Sequence, residues 1–236
     1  MVGLRRGRRF LNRLYKKNFM LRSQNTSHCP LCQSVDVHLF EQAHQRDYFI
    51  CDTCRLIFLA PEQRLAFEDE IARYEAHEND PTHAGYRDFL SRVADPLADI
   101  LSLGAMGLDY GSGPGPTLSL MLEEKGFPTA NYDPHFAPDK TVLRRSYDFI
   151  TCTETIEHFF YPDEELDRLD HLLRAGGWLA VMTEVWADEH TLANWSYARD
   201  PTHVCFYHVN TMGWIAEHYG WHLQSPHRNV FLFQKQ

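Results

Sequence analysis

The chain has 236 residues, 44% of them hydrophobic, with 13 glycines and six cysteines, enough for one α/β domain of ordinary size plus a small appendage. No apolar run approaches the roughly 18 residues that cross a bilayer, and the N-terminus lacks the apolar stretch of a secretory signal, so a cytoplasmic protein without a transmembrane segment is expected. The net charge of −9 is uneven: residues 1–27 hold eight Lys or Arg and no acid, which leaves 15 basic against 32 acidic residues, a charge of −17, in the rest. Such an acidic body repels nucleic-acid backbones at long range.

In the basic tail, residues 1–27, Leu4, Leu11, Leu14 and Tyr15 recur at near-helical spacing among the basic residues. Three roles stay open: a solvated tail, an arm touching RNA or an anionic surface, or an organelle transit peptide. Residues 28–60 follow, with Cys29-Pro30-Leu31-Cys32 and Cys51-Asp52-Thr53-Cys54 separated by 18 residues. Each C-x-x-C places two thiolates where they reach one ion, and Val35, Val37, Leu39, Tyr48 and Ile50 alternate as hairpin strands do. The spacing predicts a zinc ribbon. Cys29, Cys32, Cys51 and Cys54 would close the shell of a structural Zn²⁺, leaving no open position for water.

The remainder, residues 61–236, reads as one larger domain with two leading helices at 62–78 and 83–101, broken at Asn79-Asp80-Pro81. Tyr74, His77 and Tyr86 on these helices are candidate lining residues. A short apolar run at 105–108 then ends in Asp109-Tyr110-Gly111-Ser112-Gly113-Pro114-Gly115-Pro116, and Thr117 opens a helical pattern with Leu118, Met121 and Leu122. A strand, a glycine turn and a helix start make a cradle for a nucleotide-like ligand, because glycine tolerates positive φ and the helix start offers unpaired N–H groups. The dinucleotide fingerprint would need glycine at position 116, where Pro116 stands, so NAD is the weaker reading. A second strand ends at Asp133, 22 residues after Gly111, where a carboxylate can take both hydroxyls of a ribose.

Further motifs follow: Tyr147-Asp148-Phe149-Ile150-Thr151-Cys152-Thr153-Glu154-Thr155-Ile156-Glu157-His158, a helix over 162–173, and Arg174-Ala175-Gly176-Gly177-Trp178-Leu179, in which the glycine pair is expected to cap that helix. Residues 178–183 read as a further strand. Residues 184–209 are rich in aromatics and histidines, including Trp186, His190, Trp195, Tyr197 and His203, and emerge where ligands sit in such folds, beyond the carboxyl ends of the strands. A terminal helix from Met212 and a hairpin at 221–224 and 230–233 finish the chain.

Taken together, Asp109 to Gly115, Asp133, the Glu-His ending and the Gly-Gly turn resemble the class I S-adenosylmethionine-dependent methyltransferases, the ubiquinone-biosynthesis type above all, over roughly residues 80–236. The resemblance implies a Rossmann-like, mostly parallel sheet and S-adenosylmethionine as cofactor. Asp109, Gly111, Gly113 and Gly115 would face its methionine part and Asp133 its ribose, with Glu154 and His158 lining the same site. The family's third strand does not fit the 13 residues between Asp133 and Tyr147; it is expected to be vestigial, and the adenine contacts stay unassigned. Asp200-Pro201-Thr202-His203 is similar to segments after the fifth strand of related enzymes, and it offers His203 as general base with Asp200 to orient it. A small-molecule hydroxyl is the favoured acceptor. RNA, approached through the ribbon and basic arm, is the alternative, and a non-catalytic cofactor-fold binding module is a third reading.

Overall fold

The computed structural model describes residues 26–74, 80–189 and 191–236; the basic tail before residue 26, His77 and His190 lie outside them. The elements run β1 (Val37–Ala43), β2 (Arg46–Cys51), β3 (Ile57–Leu59), α1 (Phe67–Tyr74), α2 (Ala84–Ile100), β4 (Gly107–Tyr110), α3 (Thr117–Glu124), β5 (Thr129–Tyr132) and β6 (Tyr147–Thr153), then α4 (Pro162–Leu172), β7 (Leu173–Met182), β8 (Val185–Trp186), β9 (Cys205–His208), α5 (Val209–Tyr219), β10 (Trp221–His227) and β11 (Val230–Lys235).

Alternation along the central strands builds a three-layer α/β core, because successive side chains of a strand point to opposite faces. Phe149, Trp178, Ala180, Val230 and Leu232 turn to one face, where they pack with Leu90, Val93 and Leu97 of α2 and Leu118 and Leu122 of α3. Ile150, Cys152, Leu179, Val181 and Phe231 turn to the other, against Leu166 and Leu169 of α4 and Met212 and Ile215 of α5. Burial of each of the larger aliphatic and phenyl side chains stabilises by about 1.5–3 kcal/mol. The sheet has the order β10-β11-β7-β6-β4-β5. β5, β4, β6 and β7 are parallel, while β11 runs antiparallel to β7 and β10.

The expected loss of the third strand is seen. Among the described residues, 133–146 hold one bridge between Asp133 and Ala137 and a short 3₁₀ turn at Val142–Arg144, so β5 is the sheet edge. The glycine pair departs from expectation. α4 ends at Leu172, Leu173 is already extended at φ −85° and ψ 129°, and Gly176-Gly177 lies inside β7 rather than capping the helix. Here a Cβ on Gly177 would come within 2.9 Å of the Asp148 and Arg174 carbonyl oxygens. That close approach accounts for the glycine without any cap.

A second sheet, β1-β2-β3-β9-β8, joins the Cys-rich hairpin to the aromatic segment after β7. The β1–β2 turn is formed by His44 and Gln45, both at positive φ, 53° and 62°, as a two-residue hairpin turn with the right twist requires. β3 pairs with β9 through Ile57–Phe206 and Phe58–Cys205, and the Leu59 N–H donates to the Val204 carbonyl at 2.9 Å. The hairpin therefore shares its sheet with the strand that follows His203.

Candidate active site

A cavity of about 950 Å³ opens at the carboxyl ends of β4, β5 and β6. The chain brings all the non-cysteine site candidates to its wall: Asp109, Gly111, Gly113, Gly115 and Asp133 from the β4 and β5 ends, Glu154 and His158 from the end of β6, and Asp200 and His203 from the segment before β9. Tyr74 of α1 and Tyr86 of α2 line it too.

The glycine turn begins at Gly111, φ +81°, where an added Cβ would meet the Thr155 side chain at 2.3 Å. Glycine is thus required there by both backbone and packing. Asp109 is buried and accepts a 2.7 Å bond from the Thr151 hydroxyl. Burial, opposed by that bond and helped by Asp133, pushes its pKa up to about 6. Asp133 ties the two strand ends together. Its Oδ2 accepts from the Gly113 N–H at 3.1 Å, and its Oδ1 from His135 and Phe136 at 2.8 and 3.0 Å. A carboxylate has about four acceptor positions, which leaves room for a further donor on the cavity side.

Across the cavity stands a cluster of acids and histidines. Glu154 is held at φ +47°, a conformation uncommon outside glycine and asparagine, and its buried Oε1 has no hydrogen-bond partner among the described residues. Burial, with Glu157 and Glu184 nearby, raises its pKa to about 9. Glu157 is fully buried; Oε1 accepts from the Tyr197 hydroxyl at 2.6 Å and Oε2 from the Thr183 hydroxyl at 2.9 Å. Burial raises its pKa as well.

The tautomers of the two histidines follow from their partners. A carbonyl only accepts, so Nδ1 of His203 must donate to Tyr197 O at 2.7 Å, and Nδ1 of His158 to Thr202 O at 3.0 Å. The Tyr74 hydroxyl, 3.1 Å from the same His158 nitrogen, in turn donates to Glu70. In the neutral rings each Nε2 carries the lone pair. Burial lowers the pKa of His203, which favours that neutral ring. Asp200 stands one turn away. Its Oδ1 accepts from the Thr202 N–H and hydroxyl at 3.0 and 2.7 Å, and Arg73 faces its Oδ2 at 3.3 Å. Burial alone would raise Asp200, yet the Thr202 donors, His203 and Arg73 bring it down to about 2. Its carboxylate fixes the turn that presents His203, while the carboxylate close to the imidazole is Glu157. Glu157 was the residue that the sequence reading passed over, although it sits beside His158 in the same Glu-His ending.

The four cysteines form a separate centre. Their sulfurs all lie within 4.8 Å of one another, with Cys29–Cys54 at 3.5 Å and Cys32–Cys51 at 3.4 Å, and all are free thiols. Tetrahedral Zn–S bonds of about 2.3 Å imply S···S separations of about 3.8 Å, so the donor set fits a zinc ion. The two knuckles repeat each other: Gln33 and Arg55, each following the second cysteine of its pair, are at φ 60° and 62°, and their N–H groups return to the carbonyls of Cys29 and Cys51 at 3.0 and 2.8 Å.

The segment carrying His203 is fastened to this ribbon. Glu41 of β1 accepts from the N–H groups of Leu192 and Ala193 at 2.8 and 3.0 Å. Arg46 donates to Ala198 O at 3.3 Å, and the Trp186 indole to Arg55 O at 3.2 Å.

No curated protein matches the chain. Among solved structures it is similar to an O-methyltransferase family protein from Burkholderia thailandensis (16% identity, TM-score 0.46, covering 71% of this chain and 62% of that one). It is also similar to CalO1, a methyltransferase in calicheamicin biosynthesis (13%, TM-score 0.48, 72% and 58%), and to 1,6-didemethyltoxoflavin-N1-methyltransferase from Burkholderia thailandensis (15%, TM-score 0.47, 85% and 99%). The chain thus spans less than two thirds of the length of the first two. The family model described as "Methyltransferase domain" matches residues 76–225, a stretch that includes the glycine turn, Asp133, Glu154, His158 and His203. That match covers well over half of the sequence, and the chain belongs to the methyltransferase-domain family.

Proposed function

We propose that the chain is an S-adenosylmethionine-dependent methyltransferase of the ubiquinone-biosynthesis type, acting on a small-molecule hydroxyl or similar acceptor. The observation that carries this reading is Asp133, whose carboxylate stands at the end of the edge strand and reaches across to the Gly113 N–H. Asp133 would take the ribose hydroxyls, and Gly111 to Gly115 with Asp109 would lie under the methionine part. The unpartnered Glu154 Oε1 suits an ammonium group, and His158 completes that wall. Phe136 and Leu143, beside the short 3₁₀ turn, give the cavity an apolar end suited to a flat base in place of the missing third strand's acid.

S-adenosylmethionine, when bound, would supply a methyl group activated by its sulfonium, with the neutral thioether as leaving group once the methyl carbon bonds to the acceptor. The protein has then to orient the acceptor, and orientation of this kind lowers a barrier by several kcal/mol. Nε2 of His203 is the lone pair placed to accept the acceptor's proton, and Asp200 positions it through the turn at Thr202. A structural Zn²⁺ on Cys29, Cys32, Cys51 and Cys54 would hold the ribbon, and through it the segment that carries Tyr197 and His203. We read residues 28–60 as that ribbon and residues 61–236 as the methyltransferase domain. The ribbon's contacts inside the chain support a scaffolding role over RNA binding. Incubation of the zinc-loaded protein with labelled-methyl cofactor, total RNA and a cell metabolite extract tests the assignment. Label in a small molecule supports it; label in RNA alone moves the acceptor to RNA, and absence of cofactor binding overturns it.

A further inference from the structure

The acid and histidine cluster has the form of an open metal site, separate from the four cysteines. One donor atom from each of Glu157, His158 and His203 lies within 4.8 Å of the other two, with Glu157 Oε1 and His158 Nε2 at 3.9 Å. Metal bonds of about 2.0–2.2 Å to imidazole nitrogen and carboxylate oxygen bring neighbouring donors to about 3–4 Å. Small rotations of the rings and carboxylate close that gap. The surroundings match those of ligating side chains, in which the remote ring nitrogen is fixed by a carbonyl and the carboxylate by outer hydrogen bonds. Nδ1 of each histidine is held by a backbone carbonyl, Tyr197 O or Thr202 O, and Glu157 by the hydroxyls of Tyr197 and Thr183. The two rings stand nearly perpendicular, at 73° with centroids 4.8 Å apart, so they approach a common point from different directions.

Glu157 is fully buried beside the two rings. Two imidazoles and one carboxylate suit a first-row divalent ion such as Zn²⁺, Co²⁺, Ni²⁺ or Fe²⁺. Three protein donors on one side leave the remaining coordination positions directed at the cavity.

We propose that Glu157, His158 and His203 bind a divalent transition-metal ion at the wall of the cavity, independently of the ribbon's ion and of which reaction the cavity serves.

The test is a titration of the full chain, its cysteine centre first filled with zinc, with Co²⁺ alone. One further Co²⁺ per chain is expected, with ligand-field absorption and no thiolate-to-cobalt charge-transfer band. Glu157→Gln and His203→Ala should each weaken that binding at least ~10-fold while the zinc content stays at one. No uptake up to millimolar Co²⁺, uptake only with a thiolate band, or uptake unchanged in both variants overturns the proposal. The wild-type titration decides by itself if either variant fails to fold.

Discussion

The two sheets hold opposite halves of one cavity by different physical means. The six-stranded sheet is buried on both faces by helices, and it supplies the glycine turn and Asp133 from the ends of β4 and β5 and Glu154 and His158 from the end of β6. The five-stranded sheet carries four sulfurs at its hairpin's base and is tied to the segment bearing Tyr197 and His203: Glu41 accepts from the Leu192 and Ala193 N–H groups, Arg46 donates to Ala198 O, and Arg55 O accepts from the Trp186 indole. The difference predicts that a change in the hairpin acts first on the His203 segment and a change at the strand ends acts first on the glycine turn, the two sheets meeting in one apolar core.

The largest break comes at the cysteines. Structural zinc contributes on the order of 10 kcal/mol or more in small zinc modules, so Cys51→Ser should unfold the hairpin and abolish turnover, with a much smaller loss of cofactor affinity by calorimetry. Cofactor binding lost in step with zinc would mean that the two sheets form one unit. His203→Ala is a cleaner cut. Turnover should fall by ~10²–10⁴ with unchanged cofactor affinity, and a wild-type rate would remove His203 as the base.

A third prediction sharpens the cofactor half through pH. With its pKa near 9 in the free protein, Glu154 is protonated at neutral pH; pairing with an ammonium group favours its ionised form. Cofactor binding at pH 7 should therefore release close to one proton, and affinity should rise with pH by up to tenfold per unit below that pKa. Calorimetry in buffers of different ionisation enthalpy measures this, and Glu154→Gln should abolish the release.

Asp109 gives a smaller signal, in stability. Its pKa rises on folding to about 6, so the folded state holds its proton more tightly than the unfolded state. The stability this provides is full below the unfolded value near 4 and is lost as pH rises through 6, about 3 kcal/mol in all. Asp109→Asn should flatten that part of a pH-dependent denaturation series. The smallest effect is at Glu41, where Glu41→Gln weakens two charge-assisted bonds and should cost about 1–3 kcal/mol, read as a raised KM for the acceptor with little change in cofactor affinity.

The sequence exposes the parts of this design that are local. Strand, turn and helix around Gly111 are contiguous, so residue spacing alone placed the cradle, and the 13 residues after Asp133 were too few for another helix and strand. The two C-x-x-C pairs announced the cysteine centre for the same reason. What could not be read is what depends on pairing between distant segments. Ile57 meets Phe206 across nearly 150 residues, and nothing in either stretch specifies the partner, so the sequence does not show that the Cys-rich hairpin shares a sheet with the strand after His203. Glu157 was hidden because an acid next to a histidine reads as surface until the fold buries it. Gly176-Gly177 misled because a glycine pair after a helix signals a cap as readily as it signals crowding against the Asp148 carbonyl.

The central claim is that a nucleoside cofactor lies between the glycine turn and the edge-strand carboxylate, and calorimetric titration of the zinc-loaded protein with S-adenosylmethionine tests it most directly. The account predicts measurable binding by the wild type and, with the hydrogen bonds of a charged group worth about 1.5–3 kcal/mol each, an affinity at least ~10-fold weaker in Asp133→Ala. No heat from the wild type, or the same affinity in both, would contradict it.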